Sequence, residues 1–466
     1  MPMNVAPRID NARLQRLFAE ESERFAREHP RAAALAARAG NSLVGGVPMS
    51  WMQRWASPVP PYAAEARGAE VTDVDGHTYL DFALGDTAAM AGHAPVALSR
   101  AVAVQLENGV TTMLPSEAAV DAAEELTRRF GLPLWQLCLT ATDANRFVLR
   151  IARALTRRPK ILVHNWCYHG TVDETFAVAR PGGIAGEAQA RPGNTGPQVD
   201  PALTTRVVEI NDLAATEAAL ASGDVAAILI EPALTNIGIV LPDSGYHAAL
   251  RALATKYGAL LIADETHTIS LGPGGATAAW SLQPDLLVIG KAIAGGLPGA
   301  AYGMRRETAE KISAELKRDE IDTGGIGGTV SGSVLSAVAI RTTLREVLTD
   351  DVFPGMFAAA NRWADGVEEV LAHHKVAWSV TRLGARAEYH FTPSAPQDGA
   401  AAAAAVHHEL ERFLHLHALN RGIIMTPFHN MALFSPATPN YAADRHTEAF
   451  SEAIAMLISG GALTPE

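Results

Sequence analysis

Cysteine is almost missing from this sequence. Only Cys138 and Cys167 occur in 466 residues, and neither has a second Cys or a His at zinc-finger spacing. That excludes a disulfide framework and points to a reducing compartment. Long apolar runs are absent too. No stretch approaches the roughly 18 uninterrupted apolar residues of a membrane span. The start, MPMNVAPRIDNARLQRLFAEESERFAREH, is charged and has no apolar signal core. Basic residues are in deficit, with 38 Lys and Arg against 50 Asp and Glu and a net charge of −12. Such a chain has no global pull on nucleic acid or anionic membrane, so neither is expected as a partner. Charge makes up only 19% of the chain and hydrophobic residues 48%, which is enough for a large core and rules out a disordered chain. A cytoplasmic protein of enzyme size is the expectation.

What is present is a succession of short apolar runs. KILVHN (160–165), RVVEIN (206–211), AAILIEP (226–232), ALLIADE (259–265) and DLLVIGK (285–291) are rich in Ile, Leu and Val and close on polar residues. Runs of this length fit strands buried on both faces of a parallel sheet, and the segments between them are long enough for helical crossovers. Around this core, residues 11–38 have helical spacing, and EVTDVDGHTYLDF (70–82) reads as a hairpin turning at Asp75-Gly76. A final helix is expected near 443–458. The predicted fold is α/β, with a mostly parallel sheet in a large domain and a smaller α+β domain. The expected division is an N-terminal segment, 1–74, joining the small domain; a large domain, 75–335; and a C-terminal small domain, 336–466.

In such sheets ligands sit at the carboxyl ends of the strands. The polar residues there are Asn165 with Tyr168-His169-Gly170, then Glu231, Asp264-Glu265 and Lys291. A lysine at a partly desolvated rim has a lowered pKa and suits Schiff-base chemistry, although an ordinary solvated lysine has the same spacing. Asp264 suits the pairing of a protonated ring nitrogen, and a helix cap is its plainer reading. Metal binding is not expected, because His267 is not at a recognised ligand spacing from Asp264. Thr140, Ala141 and Thr142 open a helical segment, where free N–H groups suit a phosphate or simple capping. Tyr168 could stack on a flat ring or lie in the core. GGIGGTVSGS (324–333) could cradle phosphate but lacks the P-loop lysine, and no first-strand glycine fingerprint supports a nicotinamide cofactor.

Together and in order, these segments resemble the class III, fold-type I pyridoxal-phosphate (PLP) enzymes, with glutamate-1-semialdehyde aminomutase and its aminotransferase relatives the most similar. The resemblance runs from about residue 40 to the C-terminus. It rests on TATDAN (140–145), YHG (168–170), EPALTNIGIVLPDSGYHAALR (231–251), IADET (262–266), GKAIAGGLPGAAYG (290–303) and GGTVSGSVLSAVA (327–339). It implies that Lys291 forms the Schiff base with PLP and shuttles the proton. Asp264 would pair with the pyridine nitrogen, Tyr168 would stack on the ring, and Thr266 would pack beneath it. Ala141 and Thr142 would bind the phosphate, while Gly328 and Thr329 would reach it across a homodimer interface, giving two shared sites. Glu231 and Asn236 would lie near the cofactor's phenolic side or gate the substrate.

The implied activity is an aminotransferase that moves nitrogen from an amine or amino acid to a keto acid or ketone. An intramolecular aminomutase or an epimerase shares every motif. One departure bears on the substrate. Aminomutase members carry an arginine soon after the N-terminal Asn-Ser, but NSLVGG (41–46) has glycines there. Arg54, Arg386 and the segment holding Phe428 and His429 are the candidate replacements. Met49, Trp51 and Phe428 would make the pocket more apolar.

Overall fold

The computed structural model describes residues 8–196, 200–315 and 324–465. Its centre is a seven-stranded sheet. In spatial order the strands are Leu134–Cys138, Ala300–Met304, Leu286–Ile289, Leu260–Asp264, Val225–Ile230, Lys160–His164 and Thr205–Val208. Ala300–Met304 runs antiparallel to both neighbours, and the remaining pairings are parallel. The mostly parallel sheet expected from the apolar runs is therefore present.

The reason these runs are continuous is visible in one strand. Successive side chains of a strand point to opposite faces. Leu286 and Val288 join a core with Val148, Ile151, Ile161 and Ile228. Leu287 and Ile289 join a second core with Trp363, Phe413 and Phe434. Both faces are covered, so neither can be polar. Helix Ala141–Thr156 covers the first face through Val148, Leu149, Ile151 and Ala152, all buried. Thr140 caps it by accepting from Asp143 N at 3.1 Å.

The smaller unit is stitched from both ends of the chain. The hairpin strands Glu70–Asp73 and Thr78–Asp81 pair antiparallel, as their sequence predicts. Thr78–Asp81 then pairs in parallel with Ile423–Ile424. A separate three-stranded sheet joins Ser379–Arg382, Arg386–His390 and Met431–Leu433. Arg8–Ile9 pairs with Leu463–Thr464, so the two ends of the described chain meet. The expected boundary at residue 75 falls inside the hairpin. The one at 335 falls inside helix Val334–Thr342, which packs on Val96–Glu107 and Glu117–Phe130.

Buried polar groups fix the hairpin to the first helix, Asn11–Glu28. His29, at its C-cap, stacks on Phe25 at 3.7 Å between ring centroids. The Tyr79 hydroxyl lies 2.8 Å from His29 Nε2 and 2.7 Å from Asp73 Oδ2. Among the described residues, no helix is long and apolar enough to cross a membrane.

Candidate active site

The carboxyl ends of four parallel strands meet around one pocket of about 330 Å³. Asp264 ends Leu260–Asp264. Lys291 follows Leu286–Ile289, Glu231 follows Val225–Ile230, and Tyr168 follows Lys160–His164. The alternation of side chains separates the acidic pair that closes the Asp264 strand. Asp264 lines the pocket. Glu265 turns away and accepts from Ala276 N at 3.0 Å and from the Thr268 hydroxyl at 2.5 Å.

Asp264 is almost fully buried and fully partnered. Its Oδ2 accepts from Asn145 Nδ2 at 2.8 Å and pairs with His169 Nδ1 at 2.9 Å. Its Oδ1 accepts from the Thr266 hydroxyl at 2.6 Å and from Thr266 N at 3.1 Å. Burial pushes the carboxyl pKa up, but the bonds from His169, Thr266 and Asn145 outweigh it and hold the pKa below its ordinary value. Burial likewise opposes charge on His169. The adjoining Cys167 sulfur and the Asp264 carboxylate prevail and raise His169 to about 10. The site thus offers an anionic oxygen pair fixed from three sides. Both cysteines are buried, and burial pushes the Cys138 thiol up to about 12.

The pocket's other end is a helix N-terminus. Ala141 and Thr142 open helix Ala141–Thr156 and line the pocket with Thr140. Their N–H groups belong to a first turn, which has no intrahelical acceptors for them. Gly170 closes this wall. It has φ +74°, and a Cβ there would fall 2.0 Å from Thr142 Oγ1. Only glycine leaves that room, so the YHG motif is read as geometry as well as sequence. Thr142 Oγ1 also accepts from Thr171 N at 3.1 Å. The Tyr168 ring lines the pocket, with its N–H on Glu231 at 2.9 Å and its edge against Phe176.

Lys291 has φ +50°, a conformation that a side-chain-bearing residue adopts only under constraint, at about 1–3 kcal/mol. Its Nζ lies 2.6 Å from Asp86 Oδ2 and 2.7 Å from His267 Nε2. Neither partner follows from strand-end spacing. Asp86 comes from a loop outside the sheet, and His267 carried only the discarded metal reading. His267 Nδ1 lies 2.6 Å from Thr235 Oγ1, which donates to Glu231 at 2.7 Å. Burial, then the Lys291 charge, holds His267 below the usual imidazole value.

Tyr168 and Lys291 also line a second, larger cavity of about 1140 Å³. Trp51, Arg54, Asn236, Phe428 and His429 line it, and Asp86, Arg191, Glu388 and Glu411 join them. Asn236 lines this cavity and not the smaller pocket. Arg54 packs its guanidinium 5.2 Å from the centre of the Phe428 ring.

Two expectations need correction. Arg386 lines neither cavity. It is fully buried, donating to Thr87 Oγ1 at 2.7 Å and Ser270 Oγ at 3.2 Å, and burial lowers it to about 10. Met49 is half exposed and lies off both walls. Gly328 and Thr329, expected to act across a dimer interface, are exposed and line neither cavity of their own chain. Sequence reading missed Arg191. Its Nη2 donates to the Cys167 carbonyl, and its guanidinium lies over Trp166 and Phe176 at 5.5 and 5.6 Å. Its Nε is buried without a partner. No sequence signal marks it, because its neighbours come from a different strand end.

Comparisons with known proteins show the family. The class-III aminotransferase family model matches residues 51–458. A glutamate-1-semialdehyde 2,1-aminomutase of Roseiflexus castenholzii is 34% identical over 79% of this chain and 83% of its own length. A solved glutamate-1-semialdehyde-aminomutase of Pseudomonas aeruginosa PAO1 is 45% identical, with a TM-score of 0.94, over 96% of this chain and 99% of that one. A variant of that protein was solved with PMP bound. An omega-transaminase of Sphaerobacter thermophilus is 29% identical, with a TM-score of 0.81, over 91% of this chain and 97% of that one.

Proposed function

This chain belongs to the class-III aminotransferases, enzymes that work with pyridoxal phosphate, and from that premise we propose that it moves an amino group within one substrate, as an aminomutase of the glutamate-1-semialdehyde type. The supporting observation is the likeness to the Pseudomonas aminomutase, at 45% identity over 96% of the chain.

The smaller pocket fits the cofactor. Bound there, PLP supplies a carbonyl that condenses with amines and a ring that withdraws electrons from the adjoining carbon. Asp264, kept anionic by three donors, holds a proton on the ring nitrogen. His169 and Asn145 keep that carboxylate in place. Ala141 and Thr142 receive the phosphate, with Gly170 leaving room for the Thr142 side chain. Tyr168 offers a ring face. Lys291, at the junction of the two cavities, attaches the cofactor and carries the proton between substrate carbons. Glu231 and Thr235 orient His267 beside the lysine.

A mutase of this type needs an anchor for the substrate's remote carboxylate. Arg191, on the cavity wall with no acidic partner among the described residues, fills that role in our reading. Arg54 is the second cation on the wall. The alternative is transfer to an external keto acid. The glycines at 45 and 46 favour it, since they leave no arginine in that segment. Single-substrate turnover decides between them. A purified enzyme that isomerises glutamate-1-semialdehyde without added acceptor supports the mutase. Ketone release that requires pyruvate or 2-oxoglutarate supports transfer.

We also propose that two chains associate. Val96, Val104, Met113, Leu114 and Val120 are exposed, and so is Val330, next to Thr329. A second copy covering these residues would bring Gly328 and Thr329 to its partner's phosphate. Met113→Asp should then yield monomers by light scattering and weaken cofactor retention.

A further inference from the structure

We propose that Asp86 is the counter-ion of the reacting nitrogen, pairing first with Lys291 and then with the ammonium of the incoming amine. This rests on the cofactor assignment of Lys291 and not on the choice between amino migration and amino transfer.

Position is the first argument. Asp86 Oδ2 lies 2.6 Å from Lys291 Nζ. Asp86 lines the larger cavity and not the cofactor pocket, whereas Lys291 lines both. The carboxylate therefore stands where a substrate nitrogen must pass to reach the cofactor.

Rigidity is the second. Leu84, Gly85, Asp86 and Thr87 have φ of 41°, 57°, 49° and 83°. Left-handed conformations at side-chain-bearing residues persist only where the surroundings enforce them. Here the enforcing bonds are visible. Asp81 Oδ1 accepts from Ala83 N and Leu84 N at 2.8 and 2.9 Å. Thr87 Oγ1 accepts from the buried Arg386 at 2.7 Å. Arg386 thus acts through the turn and not on substrate.

Charge is the third. The groups facing Asp86 are Lys291, His267 (Nε2 at 3.8 Å) and His429. Burial disfavours its charge, but these neighbours hold the carboxyl far below its ordinary range. Arg386 and Tyr168 also feel that charge. Once Lys291 is tied to the cofactor, a fixed anion remains beside its nitrogen and favours the protonated form of that nitrogen. The substrate ammonium is drawn to the same oxygen. Asp86 stays a carboxylate throughout: as the substrate nitrogen would bond to the cofactor carbon and the bond from Nζ would break, the proton given up by the ammonium would pass to the released Nζ. No oxidant or reductant is needed.

The test is a pH titration of the visible cofactor band in the intact holoenzyme, with no substrate present. In Asp86→Asn the midpoint should fall by about one pH unit or more, and Asp86→Glu should restore most of it. The same Asn variant should raise KM for the amine by about tenfold or more. An unmoved midpoint in folded, fully loaded Asp86→Asn overturns the proposal. If that variant does not fold, Asp86→Ser replaces it. It removes the carboxylate, so a midpoint equal to wild type overturns the proposal as well. A wild-type protein with no band attached to Lys291 overturns the cofactor assignment together with this role.

Discussion

The two cavities that meet at Lys291 are built in opposite ways. On the cofactor side the central carboxylate is fully partnered: Asp264 has bonds from Asn145, His169 and Thr266. All of those residues sit in strand ends, the turns after them or the helix Ala141–Thr156. On the substrate side the polar groups are more numerous and less tied. Arg191 keeps a buried Nε without a partner, and burial raises Glu411 to about 7. The contrast separates a wall shaped for one rigid guest from a wall whose donors and charges await a ligand.

The contrast can be broken at its hinge. Lys291→Ala should abolish the visible band and lower turnover by on the order of a thousandfold or more, read by absorbance and by borohydride labelling of wild type at Lys291. Next, Asp264→Asn should reduce turnover by about 10²–10⁴-fold while leaving the substrate-side charges alone. It should also change the pH dependence of stability. His169 has a raised folded pKa, so its contribution is complete below its ordinary 6.5 and is lost as pH rises through about 10. Denaturant melts across that window should slope downward in wild type and flatten in the variant.

On the other wall Glu411 is the sharper probe. Its folded pKa is also raised, so it favours the native state below 4.5 and penalises it as pH rises to about 7. Glu411→Gln should remove that penalty and raise stability at pH 8 by about 2–3 kcal/mol. Arg191→Ala should raise KM for a carboxylate-bearing substrate by roughly tenfold with kcat nearly unchanged. Equal effects on kcat and kcat/KM would instead give it a role in the chemical step. Arg54→Ala should have the smallest effect, about two- to fivefold in KM, since its stacking on Phe428 is worth about 0.5–1 kcal/mol.

Legibility in the sequence follows the same divide. The sheet was readable because strands covered on both faces must be apolar throughout, and because ligands of such sheets sit at strand ends. Tyr168, Glu231, Asp264 and Lys291 were found this way. Asp86 and Arg191 were not, because nothing local links a loop at 84–87 or a residue after Ala188–Ala190 to the lysine rim. Arg386 misled for the opposite reason. As a candidate replacement for the missing N-terminal arginine it suggests a ligand for a substrate carboxylate, yet its fully buried guanidinium is consumed by Thr87 and Ser270. His267 was weighed against metal spacing when its true neighbour is an amine.

The pairing of Thr78–Asp81 with Ile423–Ile424 has a consequence for synthesis. Contacts between segments nearly a chain length apart form late, since the intervening chain must be made and its loop closed first. The central sheet, complete by Met304, can assemble on the ribosome while the strand that seals the smaller unit is still untranslated. Until then the Asp86 turn lacks the Arg386 clamp. A nascent chain stalled before residue 386 is therefore expected to bring its cofactor lysine into being ahead of the wall that recognises substrate.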